Sequence, residues 1–331
     1  MLNVSIRQLR VFVAAAKHGS FARAAEEMHI SPPAVSMQIG ELESAVGLPL
    51  FDRVGRSASL TMTGEYFLVH ARRILGSLRE AEDTIARFRG LRGGTLTIGM
   101  VSTAKYFVPR LLARFRTEHP AVELRLSVGN RESLVESLTR NEVDLAIMGR
   151  PPREIATRAE PFAAHPYVIV SSPNHPLARR EHVPAAELAS QPFIVREPTS
   201  GTRASMQQYF REHQIEPFAL MEMPSNETIK QAVIADMGLA FLSLHTLGLE
   251  LQFGLLQILA VEDLPLMRRW FVVHPQAKTL SPAAESFRYF ILEQGERFLA
   301  TQFGTLSESG ILPDSDTLRR PQAPPSALSQ N

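Results

Sequence analysis

Two stretches of this chain set hydroxyl groups where a helix begins, an arrangement suited to holding an anion. Val101-Ser102-Thr103-Ala104 joins an apolar run to a helical one, and Thr199-Ser200-Gly201-Thr202-Arg203 does so again further on. At such junctions the first N–H groups of the helix lack partners, and its dipole favours negative charge. Ser102 and Thr103 add donors in the first stretch. In the second, Gly201 permits close backbone approach, Thr202 adds a donor and Arg203 supplies charge. Asn226 and Glu227 open a third helix expected to face the same space, and Asn130 and Arg150 sit just past strand ends. Serine, threonine and asparagine also cap helices that bind nothing. Two hydroxyl-rich helix starts on different parts of the chain, each with a cation near, point instead to a phosphorylated or dinucleotide ligand.

A different chemistry is written in residues 20–43, SFARAAEEMHISPPAVSMQIGELE. Ser20 suits the cap of a short Ala-rich helix over 21–28. A turn follows at His29-Ile30-Ser31, and Pro32 and Pro33 open a second helix, where a missing N–H costs nothing. Val35, Ile39, Leu42 and Val46 recur on one stripe that must be buried. Pro33, Ser36, Met37, Gly40 and Ser44 are left outward. Two short helices, a tight turn and a small polar outer face predict a helix-turn-helix, whose second helix enters the DNA major groove. Two core helices of an unrelated domain would share the stripe. The next segment, LPLFDRVGRSASLTMTG, weighs against that: it offers two short β-prone arms around Gly55 and Ser57, with Arg53 and Arg56 at the tip of a DNA-binding wing.

At 331 residues, 44% of them hydrophobic, the chain can fill two or three domains. A net charge of +1 supplies no global basic field, so cations that meet nucleic acid must be local. Without cysteine there are no disulfides, thiolate metal sites or cysteine nucleophiles. The first residues carry Arg7, Arg10 and Lys17 and lack the apolar core of a signal peptide. No apolar run approaches the ~20 residues of a membrane span, so a soluble cytoplasmic protein is expected. The histidines show no metal-ligand spacing, and His165, His175, His245 and His274 are expected in turns or on the surface. No P-loop is present, and no enzymatic activity is expected.

Elements must hold these sites. Residues 1–62 are read as the winged helix-turn-helix domain, beginning with a helix over 5–17 that has a Ser5–Gln8 capping box and an Ile6, Leu9, Val13 stripe. Residues 63–91 form a linker helix, about 39 Å long over its regular part. In it Leu68, Ala71, Leu75, Leu78, Ile85 and Phe88 recur as a coiled-coil seam that would pair with a second copy; packing on its own domain is the alternative. Gly90-Leu91-Arg92-Gly93-Gly94 marks a hinge. Strands at 95–100, 122–128 and 144–148 then alternate with helices at 106–117 and 133–140, predicting an open parallel sheet with helices on both faces. Residues 92–164 and 266–303 make one lobe, with strand 269–274 and helix 282–293 returning to it. Residues 165–265 make the other, with strands at 166–172, 193–196 and 239–243 and helices from 202 and over 227–236. The result is a clamshell with its cleft at the carboxyl ends of the strands. Residues 304–331 are rich in Ser, Pro and Gly without periodicity and are expected to be a disordered tail.

The segment AAEEMHISPPAVSMQIGELESAVGLPLFDR, followed by LTMTGE, resembles the LysR-type transcriptional regulators, and the linker and two lobes continue the likeness to about residue 303. Within that family KYFVPRLL, GNRESLVESL, DLAIMGRPPRE, REPTSGTR, SNETIKQAV and LSLHTLGLEL are similar to the activators of carbon-fixation (Calvin cycle, RuBisCO) operons. The resemblance implies an α/β fold with an N-terminal all-α winged helix-turn-helix and a two-lobed periplasmic-binding-protein-like (type 2) effector domain. It implies a dimer of dimers on double-stranded promoter DNA, contact with RNA polymerase, no cofactor and no membrane partner. A small anionic metabolite in the cleft, such as phosphoenolpyruvate, ribulose 1,5-bisphosphate or NADPH, would change the bend of the DNA.

The family's DNA-contacting positions fall on Ser31, Pro32, Pro33, Ser36 and Gln38. Gln38 could pair with adenine or bond within the protein. Arg53 and Arg56, with Arg23 of the first helix of the pair, are the expected phosphate neutralisers. The chain departs from the family at Met37 and Gly40, where many members carry cations, which shifts weight to DNA shape. A regulator of another operon with a carboxylate effector is the alternative; a solute-binding protein would suit the clamshell but not the helix-turn-helix. Arg53→Ala is expected to weaken binding to all DNA sequences alike and to flatten its salt dependence, measured by titration across salt concentrations; a loss confined to the specific site would contradict the assignment.

Overall fold

Capping chemistry sets the ends of the first three helices. The computed structural model describes residues 3–54, 57–88 and 93–304. Helix α1 (Ile6–His18) starts at the expected capping box: the Ser5 hydroxyl accepts from the Gln8 N–H, and Gln8 Oε1 accepts from the Ser5 N–H at 2.8 Å. Gly19 ends it in the left-handed region, φ 58°. Ser20 caps α2 (Phe21–Met28), and Ser31 caps α3 (Pro32–Val46), whose first positions are the two prolines. Val35, Ile39 and Leu42 of the α3 stripe are fully buried against Leu9, Phe12 and Leu50, with Val46 packed at the margin. Phe51, at the start of β1 (Phe51–Val54), meets Phe12 and Phe21 edge-on. β1 pairs antiparallel with β2 (Ser57–Leu60), forming the arms of the wing. Gly55 and Arg56 at its tip, and the side chain of Arg53, lie outside the described residues.

Helix α4 (Met62–Phe88) is the expected long helix, and the first half of its seam meets its own chain. Leu68, Ala71 and Leu75 pack on the core of their own winged domain, because that small domain has an apolar face to cover and α4 is covalently next to it. Among the described side chains of α4 the exposed large apolar ones are Met62, Tyr66, Val69, Ile74 and the seam residue Ile85; the Phe88 side chain lies outside the description. On the other side α4 touches the first lobe. Arg72 Nη1 stands 2.9 Å from Glu142, and a Cβ on Gly76 would fall 2.1 Å from the Asn141 side chain. Of the expected hinge, residues 90–92 lie outside the description, as do residues 305–331 of the expected tail.

In the first lobe β3 (Gly94–Val101) lies between β4 (Val122–Gly129) and β5 (Leu145–Met148), all parallel. Helix α5 (Val108–Glu118) and the last helix cover one face through Phe107, Leu111, Phe115 and Phe287, while α6 (Arg131–Thr139) covers the other through Leu134 and Leu138. The sheet is not parallel throughout. A 15-residue strand, β6 (Thr157–Ser171), runs from this lobe into the second. In the second lobe β7 (Pro192–Arg196) leads into α7 (Gly201–Glu212) and pairs in parallel with β8 (Phe218–Met223); α8 (Asn226–Ile234), β9 (Ala240–Ser243), α9 (Gly248–Gln252) and β10 (Gln257–Ile258) follow. β9 and β10 flank β6 antiparallel. Strand β11 (Leu266–Pro275) then returns antiparallel to both β6 and β5, and α10 (Pro282–Phe303) closes the chain's first lobe. No helix among the described residues is long and apolar enough to cross a membrane.

Three of the four histidines expected in turns or on the surface are buried, and of these only His245 lies in a turn. His165 is in β6 and His274 in β11, the strands covered on both faces, and His245 lies in the turn after β9 beneath Trp270, whose Nε1 donates to its Nδ1 at 2.9 Å. Burial lowers the pKa of each, that of His245 to about 3, so they stay neutral. His175 does sit in a turn, where its ring accepts from the Leu177 N–H.

His213 behaves oppositely: its bond to the Tyr209 carbonyl and its pairing with Asp263 raise its pKa above 6.5. Its stabilising contribution is present in full below the unfolded value of 6.5 and is lost as pH rises through the raised folded value. The gap in thermal midpoint between the parent chain and His213→Gln is expected to be widest in mild acid and to close in alkali, read by melting across pH.

Candidate functional site

The ends of β3, β5 and β7 and the starts of α6 and α7 converge on a cavity of about 700 Å3 between the lobes. Six arginines and two glutamates line it, so it is strongly positive. The arginines are Arg131, Arg150, Arg153, Arg196, Arg211 and Arg268. Two α-helix N-termini meet there, one from each lobe. That of α6 is capped by Asn130, whose side chain accepts from the Ser133 N–H at 2.8 Å, and that of α7 by Ser200. A fixed positive wall with helix dipoles aimed into it favours a small anion.

Of the residues anticipated for an effector, Ser102, Thr103, Asn130, Arg150, Gly201 and Thr202 line this cavity. Ser102 and Thr103 do so from a 3-10 turn over Ser102–Tyr106; α5 starts only at Val108, so no α-helical dipole backs them directly. The other four are elsewhere. Thr199 is exposed in the loop before α7, since the capping role falls to Ser200. Arg203 turns back to the end of β7, donating to the Arg196 carbonyl at 3.0 Å. Asn226 is buried beneath the cavity wall with Oδ1 accepting from Arg196. Glu227 ties the lobes together. It accepts from the Tyr106 hydroxyl at 2.5 Å and pairs with Lys230 at 3.1 Å. Burial opposes its charge, but those hydrogen bonds hold its carboxyl below the usual range, while burial and Glu227 push the Tyr106 hydroxyl up.

Motif reading missed five of the six lining arginines, and Arg196 is the most buried of them. It is 5% exposed and sits at the end of β7. Its Nε and Nη2 fork onto Glu197 at 2.7 and 2.8 Å, Nη1 donates to Asn226 at 2.5 Å, and Nη2 reaches Ser102 of the other lobe at 3.4 Å. The available signal was a charged residue ending the apolar run FIVR. Tyr167 on the same wall is pushed up to about 12 by burial, against the pull of hydrogen bonds with Thr202 and Ser205, so it remains a donor.

On the winged domain, Ser31, Pro32 and Pro33 are exposed at the start of α3, with Ser36 half-buried and Met37 exposed beside it. Gln38 Nε2 donates to Glu41 at 3.4 Å, and Glu41 also accepts from Gln8 of α1 at 3.0 Å. Arg23 is exposed on α2. A Cβ on Gly40 would meet nothing within 4 Å, so nothing inside the described chain requires glycine there.

A winged helix-turn-helix joined by a long helix to two lobes around a positive cleft defines a DNA-binding regulator with a small-molecule sensor. The chain belongs to the LysR family of transcriptional regulators: residues 6–65 match its bacterial regulatory helix-turn-helix and residues 89–296 the LysR substrate binding domain. It is a regulator and not an enzyme. It is 49% identical over 303 residues to the HTH-type transcriptional regulator CfxR of Cupriavidus necator, covering 92% of this chain and 96% of that one. It is 46% identical over 296 residues to a RuBisCO operon transcriptional regulator of Allochromatium vinosum, covering 89% and 98%. The regulatory domain of Synechocystis CcmR, solved in complex with 2-PG, superposes with a TM-score of 0.58 at 38% identity, covering 60% of this chain and 96% of that one.

Replacing Arg196 strands Glu197 and Asn226 in a buried setting. Arg196→Met is expected to cost on the order of 3 kcal/mol in denaturant unfolding. Arg196→Lys should restore charge but not the fork, and so only part of the stability.

Proposed function

We propose that this chain activates transcription of a carbon-fixation (RuBisCO) operon from the cytoplasm, gated by a phosphorylated metabolite or nucleotide in the interlobe cavity. The observation that carries the effector is the cavity itself, with its excess of arginine, its hydroxyls and one helix N-terminus from each lobe. The relatives named for RuBisCO operons support the target, and the 2-PG bound to the Synechocystis domain supports a small ligand in this part of the fold. Phosphoenolpyruvate, ribulose 1,5-bisphosphate and NADPH all carry phosphate and fit the same charge.

DNA contact falls to the α3 face from Ser31 to Gln38, with Arg23 and the wing arginines Arg53 and Arg56 on phosphates. The chain works as a dimer of dimers that meets RNA polymerase. Self-association has surfaces to use: β4 and β8 are edge strands that expose Leu126 and Val128, and Phe218 and Leu220, and α4 exposes Met62, Tyr66 and Val69. Edge strands of this kind are covered in stable proteins.

The test is a gel shift of the full chain on the DNA upstream of a RuBisCO operon from the same source, with and without each metabolite, alongside calorimetry. Specific binding that falls steeply with salt is expected, as is a ligand-dependent change in DNA bend. Thr202→Ala should weaken the effector about tenfold without altering DNA affinity in its absence. Specific binding only at other promoters, or affinity only for an aromatic carboxylate, would refute the proposal.

A further inference from the structure

His165 forms part of the cavity wall on β6 and is 1% exposed. Its ring lies flat on Trp270, the chain's single tryptophan, with centroids 3.8 Å apart and planes 13° from parallel. Nε2 is 3.0 Å from the Ser243 hydroxyl. Nδ1 is buried and has no partner among the described residues. Buried polar atoms are nearly always satisfied, so an orphan in the wall of a cavity marks a place for a ligand atom.

Gly149 makes the same point independently. It lines the cavity just past β5 and its φ is not in the left-handed region, so the backbone does not demand glycine. Space does. A Cβ there would lie 2.8 Å from His165 Nδ1, 3.1 Å from its Cε1 and 3.9 Å from the Tyr167 hydroxyl. Glycine at position 149 leaves room beside this buried nitrogen that a methyl would fill.

Resting on the reading of the cavity as an anion-effector site, we propose that Gly149, His165 and Tyr167 form a subsite in which His165 Nδ1–H donates to an oxygen of the bound anion. The direction follows from proton placement. Burial, with His245 close by, holds the His165 pKa well below the usual value, so the ring is neutral and has one proton. An anionic oxygen only accepts, which puts that proton on Nδ1. Nε2 must then accept from the Ser243 hydroxyl. Ser243 is a positioning residue that sets the tautomer. The subsite selects for phosphate or carboxylate oxygen and against an apolar group of the same size, and the stack makes Trp270 its optical reporter.

The full chain is titrated with 2-PG, phosphoenolpyruvate, ribulose 1,5-bisphosphate and NADPH, by calorimetry and Trp270 fluorescence. Gly149→Ala crowds the nitrogen, and His165→Phe keeps the stack while removing both nitrogens. Each is expected to lower affinity for the tightest of the four about tenfold or more, with thermal melting as the check on folding. Ring 15N shifts of the complex should report the Nδ1–H tautomer. Parental affinity in His165→Phe, with Thr202→Ala still impaired, overturns the subsite and leaves the cavity reading intact. An Nε2–H tautomer in the complex also overturns it. Failure of all four ligands to bind the parent chain overturns the cavity reading and the subsite with it.

Discussion

A guanidinium in the interior is tolerable only where every face of it is answered, and Arg196 is answered from both lobes. Desolvating such a charge costs several kcal/mol, so its partners are not optional. Glu197 neutralises it, Asn226 orients it and Ser102 receives what is left. Because Ser102 follows the central strand of one lobe while Asn226 opens a helix of the other, one buried charge sets the spacing between the walls of the cleft. The Tyr106–Glu227–Lys230 group repeats the tie beside it, with the Lys230 ammonium 4.8 Å from the Tyr106 ring centre. An anion bound in the cavity as proposed would meet groups that already hold the lobes together, and would compete for the same donors. On that proposal, binding and lobe spacing would be coupled through shared hydrogen bonds.

Much of this was legible in residue order because the signals are local. Ser5 and Gln8, Ser20, Ser31 and the prolines after it mark helix ends within a few residues, and α2 and α3 begin where those marks stand. The crossing strand β6 was harder to read at full length, because Pro161 and Pro166 look like breaks. In the folded chain Pro161 sits at an irregularity where the β6–β11 register shifts, a position that tolerates a missing N–H. The first half of the linker seam, Leu68, Ala71 and Leu75, covers the winged domain of its own chain, while Ile85 further along is exposed. A stripe of Leu68, Ala71 and Leu75 says that a face is buried, not by which chain.

The cleft divides the same way. Ser102, Thr103, Asn130, Gly201 and Thr202 could be anticipated because strand-to-helix junctions have recognisable chemistry. Arg196, Arg131 and Arg268 could not, since their roles depend on which strand ends meet across the gap. Asn226, Glu227 and Arg203 have the right types at the right junctions, and stronger nearby partners take them. On the DNA-facing side α3 is tied to α1 through Gln38, Glu41 and Gln8. Its outer face is short and nearly uncharged, and Gly40 leaves its middle flat. Such a face would suit the proposed reading of groove shape and deformability better than contacts to individual guanines.

The contact between α4 and the first lobe has a mechanical consequence. Through Arg72, Gly76 and the Asn141–Glu142 corner, the sensor half grips a 27-residue rod that is packed at one end on the winged domain. From Gly76 back to Met62 that rod is about 21 Å long. A tilt of about 10° at the grip would sweep its winged end through roughly 3.7 Å, close to the rise of one base pair. A modest change of angle there would thus amount to a full step along a double helix.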